Sequence, residues 1–271
     1  PPRLKDESAQ AWTLNALSQG YGMSGQPRQA MPLLRQSIAF DEKLNDKKNL
    51  IVDLTNTSDW LLSTGLLKEA EHNLRRQIDL SQEIAHEFLE AVGHQELGHV
   101  LSYCGVWQEA EQELDKSFNY DTKQNNYQGL SVDWLYRALR FLLLARANPQ
   151  SKIVNLKSSI ECAQHSIELA DEDTKQRYAH PRDYVRAYWI LGAAYCANND
   201  LTLAEENLSK ALNLCRQINM VDHEANILLD LARLRYAQGD FKDAQEKASE
   251  ALVITERSGY VLQGADVNLF L

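Results

Sequence analysis

Little in this chain breaks a helix. Its 271 residues include 12 glycines and 6 prolines, nearly all at expected turns. No segment of useful length alternates apolar and polar residues, which removes the main strand signal. No run of about 18 apolar residues occurs, so no transmembrane helix is expected. The start, Pro1-Pro2-Arg3-Leu4-Lys5-Asp6, lacks an apolar signal-peptide core. Cations are in the minority: 28 Lys and Arg face 38 Asp and Glu, for a net charge of −10. That balance argues against nucleic-acid and anionic-membrane partners, which need clustered Lys and Arg. Cys104, Cys162, Cys196 and Cys215 are isolated, with no CxxC pair. They read as reduced thiols of a cytoplasmic protein, not as a disulfide or zinc framework.

What the chain does have is a repeat. Five short segments share one pattern: Gly25–Ala30, Gly65–Ala70, Gly105–Ala110, Asn199–Ala204 and Gly239–Ala244. The first three start 40 residues apart, and so do the last two. The gap of 94 between Gly105 and Asn199 leaves room for one looser unit. A step of this size means stacked supersecondary units.

Each unit reads as two helices around that turn. Glycine, or asparagine at Asn199, suits the left-handed backbone that ends a helix. Asp200 and Asp240 are expected to cap the second helix, and Pro27 fits a first-turn position. Small residues hold fixed places. Ala30, Ala70, Ala110, Ala204 and Ala244 lie five residues after the turn residue, and Ser18, Ser58, Gly98, Gly192 and Ala232 lie seven before it. The two helices of a unit should approach closely there. Leu34, Leu74, Leu114, Leu208 and Ala248 follow nine after the turn residue.

The order small, large, turn glycine, alanine, large, small resembles the tetratricopeptide repeat (TPR), a helix–turn–helix unit. Trp134, Ala138 and Phe141 fit its first helix in the loose fourth unit. The resemblance implies an all-α fold, a right-handed α-α superhelix of about six units plus a truncated terminal helix. Units are expected near residues 8–47, 48–87, 88–126, 127–181, 182–221 and 222–261, with a partial unit at 262–271. The proline that commonly ends the second helix is absent, which lengthens the unit to 40 residues. Such long units are similar to those of kinesin light chains and of C-terminal sensor arrays of bacterial STAND-class regulators. The chain lacks an initiator Met and stops inside a first helix, so it is expected to be a piece of a longer protein.

The fourth unit is irregular. Its first helix, Leu130 to about Ala145, is unusually apolar. Arg146–Lys152 replace the turn, Asn155–Ala170 form the second helix, and a polar link covers Asp171–Arg182. The link reads as a tolerated insertion or as a hinge or docking loop.

Two motifs invite a chemical reading. Gly20–Gly25 match G-x-G-x-x-G, but a dinucleotide site needs a preceding strand, and Ala11–Leu17 read as a helix. His94 and His99 lie five apart, which sets their rings about 140° apart on a helix and does not favour a shared metal. His94 takes the place of Leu14, Leu54 and Leu228 and should pack. No catalytic grouping, metal site or cofactor is expected.

In the resembled family, first helices line the concave wall. The positions ten and six before each turn should face that groove. They give Asn15, Thr55, Gln95 and Trp189, then Gln19, Asp59, His99 and Arg233, with Arg186 further out at thirteen before. The leading expectation is a non-catalytic scaffold or sensor module that binds a peptide or protein partner in this groove. The alternative is a metabolite cradled by Trp189, Arg186 and Arg233. Self-association through the open C-terminal end is a further possibility.

Overall fold

The computed structural model describes residues 5–271. The reading of Pro1–Leu4 as lacking a signal core lies outside them. The described residues form an all-α solenoid of thirteen α-helices, with no strand. Six pairs stack in order. They are α1 (Glu7–Met23) with α2 (Pro27–Leu44), α3 (Lys47–Ser63) with α4 (Leu67–Glu83), and α5 (Glu87–Tyr103) with α6 (Trp107–Gln124). Then come α7 (Tyr127–Ala147) with α8 (Lys152–Gln176), α9 (Pro181–Ala197) with α10 (Leu201–Gln217), and α11 (Val221–Ala237) with α12 (Phe241–Ser258). We number these pairs as units one to six. A last helix, α13 (Val261–Phe270), begins a seventh.

The turn chemistry is regular. Gly25, Gly65, Gly105, Asn199 and Gly239 all have positive φ. The Leu66 N–H donates to the Leu61 carbonyl (2.8 Å) and the Gly65 N–H to the Leu62 carbonyl (3.0 Å). These two bonds close a Schellman turn and satisfy carbonyls that the helix end leaves free. Pro27 sits in the first turn of α2, and the Asp240 carboxylate accepts from the Asp243 N–H. Asp200 departs from expectation: its carboxylate accepts from the Asn198 side chain and does not cap α10. A second set of left-handed residues appears twenty residues after the first. Asn45, Ala85, Asn125, Asn219 and Gly259 end the second helices, doing the work of the missing proline.

The small residues mark the crossings within units. A Cβ added at Gly98 would lie 2.6 Å from Leu114 Cγ, and one at Gly192 would lie 2.7 Å from Leu208 Cγ. Such contacts exclude any side chain, so glycine lets the helix seat directly on the leucine nine residues after the turn. The fourth unit is longer than its sequence suggests. Helix α7 runs to Ala147, a 3-10 turn spans Pro149–Ser151, and α8 continues to Gln176. The first half of the polar link, Asp171–Gln176, is thus the end of α8, and only 177–180 separate it from α9.

The array also meets itself. Helix α13 lies against α3, and α1 lies against α11. Leu262 packs on the cluster built from Leu61, Leu62 and Leu74. The first turn abuts unit six, where a Cβ on Gly25 would meet Val221 at 2.6 Å. Unit six and α13 therefore close over the concave face.

Candidate functional site

Closure turns the groove into a chamber. Its walls come from α3, α5, α7, α9, α11 and α13, and they border about 670 Å³ of non-atom space that is partly open to solvent. A further cavity of about 390 Å³ shares Tyr103, Leu139, Trp189 and Gln263 with it and extends toward Arg146, Arg233 and Asp266. The two cavities adjoin along the axis of the array.

The 40-residue register places successive side chains along this axis. Arg182 and Asp222 are the same position in units five and six, and the guanidinium donates to the carboxylate at 2.8 Å. His223 Nδ1 lies 3.1 Å from the same carboxylate. Burial pushes Asp222 up, but His223 and the guanidinium groups of Arg182 and Arg186 outweigh it and hold the carboxyl well below its usual range. Burial also pulls the His223 imidazole down, against the pull of Asp222. The Trp189 ring stands edge-on to His223 at 5.7 Å. Its Nε1–H donates to Asp230 at 2.8 Å, and Asp230 also accepts from Arg146 (2.8 Å) and Arg233 (2.7 Å).

The opposite wall is aromatic and acidic. His99 stacks on Tyr136 at 4.1 Å, and the Tyr136 hydroxyl donates to Glu96 at 2.9 Å. Burial raises Glu96, but His99, Arg186 and Tyr136 bring it below the ordinary value. Asp59 opens onto the chamber and is pushed up to about 7, first by the protein surrounding it and then by the charge of Glu96. Arg186 and Asp59 feel each other's charge, yet neither makes a hydrogen bond or contact ion pair with the described residues. A guanidinium and a carboxyl that changes charge near neutral pH thus share one chamber with hydrogen-bonding capacity unspent.

The nine groove residues read from sequence divide. Asp59, His99, Arg186 and Trp189 line the main chamber, and Arg233 lines its extension. Trp189 is buried, because Asp230 and His223 engage it. Asn15 donates to Asp53, and Gln95 Nε2 donates to Asp133 (2.8 Å) and the Gly129 carbonyl (3.1 Å), so both amides join neighbouring units. Thr55 donates to the Ile51 carbonyl of its own helix. Gln19 is half-buried, and its Nε2 has no partner. Tyr136, Arg182, Asp222, His223 and Asp266 escaped sequence reading. Only the exact spacing of 40 between Arg182 and Asp222 could have flagged that pair.

The two motifs resolve structurally. Gly22 packs on the Trp60 ring and Gly25 is the turn, so the glycine run lies at a helix end with no strand before it. His94 Nδ1 lies 2.5 Å from Glu113, on the other side of α5 from His99. Among the described residues no group of three or more His, Cys, Asp or Glu is arranged to hold a metal ion. The cysteines are free. No described helix is long and apolar enough to cross a membrane.

Comparison with known proteins agrees with the helical-repeat fold. Residues 183–257 match the family model of the tetratricopeptide repeat, and the helix pairs on either side of them repeat the same helix–turn–helix form. No curated protein sequence matches the chain significantly. Among solved structures, it is similar to a Rap protein complexed with Competence and Sporulation Factor (13% identity, TM-score 0.67, 94% of this chain and 66% of that one). It is also similar to aspartyl phosphate phosphatase F from Bacillus subtilis (12% identity, TM-score 0.65, 96% and 62%). A third likeness is to BtubC (BKLC) from P. vanneervenii (14% identity, TM-score 0.54, 94% and 92%). The chain spans just under two thirds of the length of the first two. At these identities the likeness is one of fold.

Proposed function

We propose that this chain is the scaffold or sensor portion of a larger regulatory protein and binds a short peptide or protein segment in its axial chamber. The observation that carries the reading is the pair of unspent charges, Arg186 and Asp59, facing one space lined by Trp189, Tyr136 and His99. A purely anionic ligand would meet Asp59 and Glu96, and a purely cationic one would meet Arg182 and Arg186. A segment carrying both signs satisfies both walls, with an apolar side chain against the rings. Arg233 extends the same surface. The Rap protein of similar fold is named in complex with Competence and Sporulation Factor, which supports a binding role for a fold of this kind. Asn15 and Gln95 contribute indirectly, by tying each first helix to that of the next unit.

A metabolite is the second reading. It is favoured by closure, since six helices contribute walls to the main chamber and aromatic and charged side chains converge on it. Equilibrium dialysis against a random hexapeptide library, read by mass spectrometry, separates the two. Retained peptides of mixed charge that are lost in Arg186→Gln and Asp59→Asn variants support the first reading. No retained peptide, with a thermal shift from one member of a metabolite panel, supports the second.

A further inference from the structure

Two joints between units hide a pair of aspartates each. Asp41 on α2 meets Asp53 on α3, and Asp121 on α6 meets Asp133 on α7; the pairs are 80 residues apart, two full repeats. All four carboxyls are buried. Their surroundings repeat too. An amide 38 residues upstream donates to the later aspartate in both: Asn15 to Asp53 and Gln95 to Asp133. Ser37 and Ser117 flank the pairs in the same register.

The hydrogen-bond inventory is one proton short. Asp41 has no partner on either carboxylate oxygen, and one oxygen each of Asp53 and Asp133 has none. Within each pair the carboxyls are near enough to act on one another, yet these oxygens find no donor. Two carboxylates have only acceptors to offer, so the vacancy is filled when one of them keeps its proton and donates it to the other. Around the first pair stand Asp46, Ser37 and Asn15. Around the second stand Ser117, Asn126, Gln95 and the Arg137 guanidinium, and Tyr120 lies close enough to feel Asp121.

The same spot is filled differently elsewhere. Between units five and six, Cys215 and Ile227 replace the acids and Trp189 replaces the amide. Between units two and three, Ser81 and Gly93 stand there, and Gln77 fills the gap by donating to the Leu89 carbonyl at 2.7 Å. The stack therefore forms at these two joints without acids in this position.

We propose that the joints between units one and two and between units three and four each bind one shared proton, and that releasing it loosens the N-terminal half of the superhelix while the joint between units five and six stays closed. The joints carry chamber walls: Asp59 is on α3, His99 on α5 and Tyr136 on α7. Burial, reinforced by the neighbouring carboxyl, pushes Asp41 up to about 7; burial likewise dominates at Asp133, raised to about 8. An acid raised in the folded state contributes stability that is full below about pH 4, its unfolded value, and is lost as pH rises through 7 to 8. Chamber geometry becomes proton-dependent in the neutral range.

Native-state hydrogen exchange of the intact chain tests this. After correction for intrinsic rates, protection of α2–α3 and α6–α7 should fall by up to about tenfold per pH unit between about pH 5 and 7. Protection of α9–α11 should not fall. Asp59, raised to about 7 on α3, adds a fall of the same sign, so the readout is the difference from Asp41→Asn and Asp133→Asn variants. Each variant should flatten the fall in its own joint only. Equal pH dependence in the chain and both variants overturns the proposal. If a variant fails to fold, carboxyl carbon NMR of the intact chain decides. All four aspartates titrating in the ordinary carboxylate range overturns it; one raised acid per joint supports it.

Discussion

Asn15, Asp41 and Asp53 hold the places between units one and two that Trp189, Cys215 and Ile227 hold between units five and six. One backbone geometry accepts both fillings. The C-terminal joint belongs to a large apolar cluster that runs from Leu114 to Leu234. The N-terminal joint lies beside a small one of Ala30, Leu34 and Trp60. Apolar contacts are non-directional, so the C-terminal half stabilises many packings of similar volume. Hydrogen bonds to buried acids have one good geometry, and leaving them unmade costs about 1–3 kcal/mol each. The difference separates where this array draws its stability from where it draws its registration.

The comparison can be broken at several points. The largest effect is expected from Leu208→Ala in the apolar half, a loss of about 3–4 kcal/mol in urea unfolding, against about 2 kcal/mol for Leu34→Ala. Equal losses would mean that cluster size does not matter. Next comes Asp230→Ala, which strands Arg146, Arg233 and the Trp189 N–H. Both arginines are partly exposed, so the cost should be about 2–3 kcal/mol, less than for a fully buried pair. Thermal melts would show it, together with a gain in Trp189 solvent quenching. Gln95→Ala removes the amide that ties α5 to α7 and should cost about 1–2 kcal/mol by the same melts. A neutral result there would sink the registration argument. The smallest effect runs the other way. Ala85 is an alanine in a left-handed position where its counterpart Gly259 is glycine, so Ala85→Gly should stabilise by about 0.5–1 kcal/mol.

The sequence shows its local sterics plainly and its curvature hardly at all. Ala70 and Gly98 announce close helix crossings because only a small side chain fits there, and that constraint acts within 20 residues of chain. The turn residues are legible for the same reason. The second left-handed set hid itself, since Asn45, Ala85 and Gly259 share a backbone angle but no side chain. Asp59, His99 and Arg186 were found because the repeat register aims first helices inward. Their meeting in one chamber depends on small rotations summed over six units, which no single residue encodes. Leu262 on the Leu61–Leu62 cluster is the clearest case: its partner lies 200 residues away. Asn15 and Gln95 look like groove residues by register, and the acids that claim them sit 38 positions downstream.

The contact of α13 with α3, and of α1 with α11, changes how the array should melt. An open stack of repeats has nearest-neighbour couplings only, so it frays from its ends and populates partly unfolded forms. Here the end helices are each fastened to a distant partner. Fraying either end breaks two interfaces, and the penalty for partial unfolding rises accordingly. A single cooperative transition, seen alike by probes in the first and last units, is the behaviour of a closed ring, and long-range contacts of this kind also make folding slow.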